Sequence, residues 1–249
     1  MAMQPMRRGA GGNMFGRGGP LSAASAAAKL AIGIIAASVL VALVGALDQL
    51  LVLRPGLVIN GFVWQPLTYA FIALQPFSVL IGALIVWSIG GQLEASWGAK
   101  RFLWYAIGAT ALSGLLTSIV ALFWPAARPF PFEGPTVMLT AIWLAYGWSF
   151  GRAQMQMMLF GAVSGNTFAI FGIVLVGIKA AFARSLVPVM PELFAIGCAY
   201  VYVKVGSPRL LLLRAQKWRL DRTQNARRNK LRVISDDRNG DKGSDRYIH

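Results

Sequence analysis

Apolar residues run nearly unbroken through six stretches of this chain, at residues 30–53, 77–96, 102–124, 137–150, 167–183 and 193–205. Runs on this scale are solvated by lipid, because a helix needs about 20 predominantly apolar residues to cross a bilayer. The first run is too long for a signal-peptide core of about 7 to 15 residues and reads as an uncleaved first span. The run at 137–150 is the shortest, so neighbours must shield it or the bilayer must thin around it. Between the first two runs, after the turn signal Arg54-Pro55-Gly56, residues 57–75 are aromatic but broken by Asn60, Gln65, Pro66 and Thr68. That mixture predicts an interfacial or re-entrant segment.

Charge sharpens this pattern. Glu94 and the Lys100/Arg101 pair are the only charges between Arg54 and Arg128. Arg7, Arg8, Arg17 and Lys29 precede the first run, Lys100, Arg101 and Arg152 fall in the second and fourth turns, and the end beyond Lys204 is dense in Arg and Lys. The opposite loops hold Arg54, Arg128 and Arg184. The positive-inside rule then predicts that both termini are cytoplasmic, in the plasma (inner) membrane if the source is bacterial. Composition agrees with a lipid-solvated chain: 56% of the residues are hydrophobic and 13% charged, against about 25% charged in soluble domains. The expected fold class is an all-α membrane protein, with a disordered basic arm at 1–29, a membrane domain at 30–206 and a basic tail at 207–249 that is partly helical. One cysteine, Cys198, and one histidine, His249, exclude an internal disulfide framework and a cysteine- or histidine-ligated metal site, and no cofactor is implied.

Three stretches carry a family resemblance: WQPLTYAF at 64–71, WSIGGQLEASWGAKR at 87–101, and Gly134-Pro135-Thr136-Val137 at the head of the fourth run. Together they resemble the rhomboid family of intramembrane proteins. The resemblance implies a six-transmembrane-helix bundle with a partly embedded first loop and a short central fourth helix. The family's Gly-x-x-x-Glu-x-x-x-Gly pattern falls on Gly90, Glu94 and Gly98, followed by Arg101. These residues are expected to form a structural turn, the glycines allowing tight backbone geometry and the carboxylate accepting backbone or arginine donors in an ion-paired helix stop.

The resemblance also implies where chemistry would sit. Rhomboid proteases use a serine at the start of the fourth helix and a histidine on the sixth, because an alcohol needs a base to attack an amide. Here Thr136 stands at the nucleophile's place, Val137 replaces the glycine beside it, and Pro191 or Glu192 lies where the base is expected. The oxyanion-holding positions of the second helix fall on Ser78 and Gly82, and each missing donor removes about 3 to 4 kcal/mol of transition-state stabilisation. The reading is a catalytically inactive pseudoprotease that binds client transmembrane helices or perturbs the bilayer locally. Its alternatives are a noncanonical serine-type protease using Lys179 or Glu192 as base, and a structural subunit that recruits a cytoplasmic partner through its tail. A transporter is disfavoured because the runs show no paired charges or matching broken halves. Lys179 itself reads as a snorkelling lysine.

Outside the resemblance, the tail carries Arg209, Arg214, Lys217, Trp218 and Arg219 near Leu210 to Leu213. This composition suits a helix on anionic phospholipid, with about 1 kcal/mol per basic residue, rather than nucleic acid, despite a formal net charge of +15. The acidic Asp236, Asp237 and Asp241 lack the closing glutamate of a calcium loop. Trp64, Tyr69, Trp124, Phe130 and Phe132 are read as interface anchors, and Ala195 and Ala199 as a small-residue contact of the last helix.

Overall fold

The computed structural model describes residues 25–151, 154–157 and 161–205. The described residues up to Lys204 belong to one compact unit. Helix α1 (Ala26–Leu43) begins inside the stretch assigned to the basic arm, for a local reason. Ser25 caps it by accepting from the Ala28 amide, and the amides of Ala26 and Ala27 are taken by a distant side chain described below. The expected first span at 30–53 is not continuous. The chain breaks at Val44-Gly45 and re-forms as the short helix α2 (Ala46–Leu51), where Asp48 pairs with Arg54 at 2.6 Å. A glycine followed by an acidic residue with a nearby cation favours a new helix start over continuation.

The semi-polar segment folds as α3 (Pro55–Ile59), α4 (Gln65–Thr68) and a 3-10 turn (Tyr69–Phe71), packed against the long helix at Ala99–Phe123. Two of the polar residues that interrupt its hydropathy, Gln65 and Thr68, are inward staples, while Asn60 is exposed. Gln65 is fully buried, accepting from the Arg54 amide at 3.1 Å and donating to the Gln49 carbonyl at 2.9 Å. Thr68 donates to the Leu51 carbonyl and Tyr69 to that of Thr110. A buried polar group left unpaired costs about 1 to 3 kcal/mol, which these bonds avoid. Tyr69 and Phe132, expected at the interface, are buried in the core, while Trp64 and Trp124 are exposed.

Among the described residues, five helical stretches are long and apolar enough to cross a membrane: Ala26–Leu43, Pro76–Trp97, Ala99–Phe123, Gly165–Ala183 and Val187–Lys204. They correspond to α1, α5 (Pro76–Trp97), α6 (Ala99–Phe123), α8 (Gly165–Ala183) and the stretch containing α9 (Met190–Tyr200), which continues into a π-helical turn, Val201–Val205. The remaining long helix, α7 (Gly134–Ser149), has 16 residues, a length of about 24 Å against a hydrocarbon core of about 30 Å. It lies at the centre, packed by α5, α6, α8 and α9, and buries residues on all sides, from Pro135 and Met138 to Leu144 and Ala145. A short strand pair, β1 (Gln154–Met157) and β2 (Gly161–Ser164), lies between α7 and α8, and apart from it and an isolated bridge between Leu53 and Phe132 the described residues form a helical architecture.

The bundle is apolar outside and partly polar inside. Ile170, Val174 and Phe182 of α8 and Ile32, Val39 and Leu43 of α1 are exposed, whereas Thr110, Ser113, Thr117 and Ser118 of α6 are buried. Each of those four hydroxyls donates to the carbonyl four residues before it, at 2.7 to 2.9 Å. That arrangement is expected where lipid surrounds the protein and helix contacts rely on close packing of small residues. Ala195 and Ala199 are both fully buried, on the helix that meets α6 and α7.

Candidate binding cavity and the Glu94 turn

Of the backbone or arginine donors expected for Glu94 in the turn between α5 and α6, the structure supplies backbone amides, and no ion pair with Arg101 forms. Glu94, near the end of α5, accepts the Ala26 amide at 2.9 Å on one carboxylate oxygen and the Ala27 amide at 2.8 Å on the other. With Ser25 taking Ala28, the first three amides of α1 are satisfied by side chains, and a carboxylate is well placed at a helix N-terminus. Arg101 turns elsewhere: its Nε donates to the Tyr202 hydroxyl at 2.9 Å, and its guanidinium lies over the rings of Trp97 and Tyr202 at 4.9 and 5.3 Å. Glu94 therefore ties α5 to α1, and Arg101 ties α6 to the π turn after α9. Gly98 has φ of +84°, a conformation that favours glycine, and a Cβ on Gly90 would stand 2.9 Å from the Phe102 ring. An arginine offered both an aromatic pair and a hydroxyl gains cation–π contact as well as a hydrogen bond.

A cavity of about 530 Å³ lies between α5, α7, α8 and α9. Ser78, Thr136, Pro191 and Glu192, four of the positions singled out from sequence, all line it. Gly82 is not among the lining residues; it faces Pro135 at the α5–α7 crossing, where a Cβ would come within 3.1 Å of the proline ring. The path of the chain into α7 is equally tight. A Cβ on Gly134 would overlap the Tyr69 carbonyl oxygen at 2.1 Å, so the loop residue at the head of α7 can only be glycine without backbone movement.

Glu192, at the start of α9, is buried, and its carboxylate meets the Lys179 ammonium of α8 at 2.5 Å. The Glu192 side chain is 4% exposed and that of Lys179 46%. This pair overturns one expectation, the absence of paired charges from the spans. Lys179 and Glu192 lie on either side of the short α8–α9 connection, so opposite charges across a turn were the overlooked signal. The Thr136 hydroxyl donates to the Glu133 carbonyl at 3.2 Å and stands beside the Glu192 carboxylate. Glu133, Thr140 and Trp143 also line the cavity and escaped the sequence reading. Among the described residues, no group of histidine, cysteine and carboxylate side chains is gathered to hold a metal.

Residues 28–205 match the model of a family described as eukaryotic integral membrane protein (DUF1751). The chain belongs to this family. The matched region runs from α1 through the π turn and so contains both the Glu94 turn and the cavity. An integral membrane protein is therefore the right class, and the eukaryotic scope of DUF1751 gives no support to a bacterial inner membrane. No curated protein matches the chain. The tail positions Arg209, Arg214, Lys217, Trp218 and Arg219 lie outside the described residues.

Proposed function

We propose that this DUF1751 protein is a rhomboid-like, six-span membrane protein with cytoplasmic termini that binds client transmembrane helices without cleaving them. The observation that carries the reading is the convergence of Ser78, Thr136, Pro191 and Glu192 on one cavity. These are the positions where the resemblance would put oxyanion donor, nucleophile and base. In this chain the buried carboxylate is engaged by Lys179, and the Thr136 hydroxyl donates to a backbone carbonyl. The hydroxyl also stands beside the Glu192 carboxylate, but that carboxylate is held as an ion pair by Lys179, which weakens it as a base for peptide hydrolysis. A client helix enters between α5 and α8, which both pack on α7, and offers a polar group to the cavity.

Photocrosslinking from Ser78 and Thr136 in native membranes tests the binding. The expected result is a set of single-pass adducts missing from a lipid-facing control at Ile32 or Val39 of α1. Identical patterns from both sites would end the proposal. The proximity of Thr136 to Glu192 keeps one enzymatic reading in view, a noncanonical protease. Incubating the reconstituted protein with a helical substrate is expected to yield no product, and cleavage that disappears in Thr136→Ala would establish the protease instead.

A further inference from the structure

The cavity between α5, α7, α8 and α9 has a volume within the range of about 300 to 1,000 Å³ typical of small-ligand sites. An α-helix with its side chains is about 10 to 12 Å across, so a cavity of this size receives a head group or a side-chain tip, and a whole helix stays outside. Its rim includes the exposed residues Gln75, Leu175 and Lys179. Its charged lining consists of Glu133, Lys179 and Glu192.

These three charges are not equivalent. Glu192 is buried and committed to Lys179. Lys179 is half-exposed and has three donors, of which the ion pair uses one. Among the described residues the Glu133 carboxylate has neither a hydrogen bond nor an ion pair. The cavity thus offers a spare cationic donor and a spare anionic acceptor in one apolar setting, with the aromatic rings of Phe130, Phe132 and Trp143 alongside. A ligand bearing a phosphate and an ammonium on one apolar body satisfies both. With Lys179 and Glu192 neutralising each other, the lining carries the net negative charge of Glu133, so a purely anionic group is repelled, while a purely cationic one satisfies Glu133 and leaves the spare donors of Lys179 unused. Aromatic faces beside a carboxylate add attraction for an organic ammonium.

We infer that the cavity binds the zwitterionic head group of a membrane phospholipid, with its phosphate on Lys179 and its ammonium on Glu133. This goes beyond client binding and holds with no client present. The test uses the full chain in nanodiscs containing equal parts of phosphatidylethanolamine, phosphatidylcholine and phosphatidylglycerol, with retained lipids counted by native mass spectrometry after release. Each zwitterionic lipid, counted separately, is expected to exceed phosphatidylglycerol about tenfold, the ratio that one charged contact of about 1.4 kcal/mol supplies. Glu133→Gln, which removes a charge without breaking any internal bond of its side chain, is expected to bring that ratio close to one. Retention of phosphatidylglycerol equal to that of the zwitterionic lipids in the unaltered protein would overturn the inference, and this comparison needs no variant to fold. An unchanged ratio in a folded Glu133→Gln protein would also overturn it. So would displacement of the zwitterionic lipid by an equimolar lysine-bearing hydrophobic peptide, which would assign the site to a basic client.

Discussion

Replacing Glu94 probes how the bundle is tied together. Its two carboxylate oxygens accept the Ala26 and Ala27 amides at 2.9 and 2.8 Å. Hydrogen bonds to a charged group contribute about 1.5 to 3 kcal/mol each, and a carboxylate at a helix N-terminus adds about 0.3 to 1 kcal/mol. Glu94 is only partly buried, so water replaces some of what is lost and the sum is reduced by roughly half. Glu94→Ala should then cost about 2 to 4 kcal/mol, and Glu94→Gln, which keeps one acceptor, about half as much. The assay is unfolding in mixed micelles by titration with a denaturing detergent, read by tryptophan fluorescence. Hydrogen exchange at residues 26–28 should rise in parallel. A double-mutant cycle with Arg101→Ala separates this account from an ion-paired turn. Because Arg101 binds Trp97 and Tyr202, the two losses should add within about 0.5 kcal/mol. A coupling energy above about 1 kcal/mol, or a Glu94→Ala protein as stable as the parent, would refute the reasoning.

Other outcomes follow from the same contacts. Gly134→Ala forces a Cβ into the Tyr69 carbonyl and should destabilise the fold by more than about 3 kcal/mol, seen as loss of monodisperse protein in size-exclusion chromatography. Lys179→Met, which strands a buried carboxylate, should cost more than Glu192→Met, which leaves a half-exposed lysine free to reach water. The double replacement by methionine should recover most of the stability lost, since apolar substitutes for a buried ion pair are often neutral or stabilising by about 1 to 4 kcal/mol. Thermal unfolding of the three variants in one detergent measures this order. Tyr69→Phe removes a 2.6 Å bond to the Thr110 carbonyl and should cost about 1 to 2 kcal/mol in the same measurement.

Much of the helix layout was legible in hydropathy. Runs at 77–96, 102–124 and 167–183 reappear as Pro76–Trp97, Ala99–Phe123 and Gly165–Ala183, because a lipid-facing helix must be apolar along its length whatever it packs against. The break at Val44-Gly45 was hidden in the run at 30–53, since both pieces are apolar and the cause is a single glycine with Asp48 just beyond it. The interior of the candidate site was only half legible. Thr136, Ser78, Pro191 and Glu192 were found by their place in a resemblance, but Glu133 and Trp143 belong to no motif and meet the others only through packing.

That this is a membrane protein, and where most of its helices lie, is readable from local hydropathy alone. Those properties depend on the local balance of apolar and charged residues against lipid, and each segment carries its own record of that balance. The partners of its charges come from packing. Glu94 serves α1 in place of the arginine seven positions along the same turn, and Lys179 pairs with Glu192 across the α8–α9 connection. Hydrogen bonds and ion pairs reach only about 3 to 4 Å, so the partner of a charge is set by which helices the packing brings together, and no single segment records it.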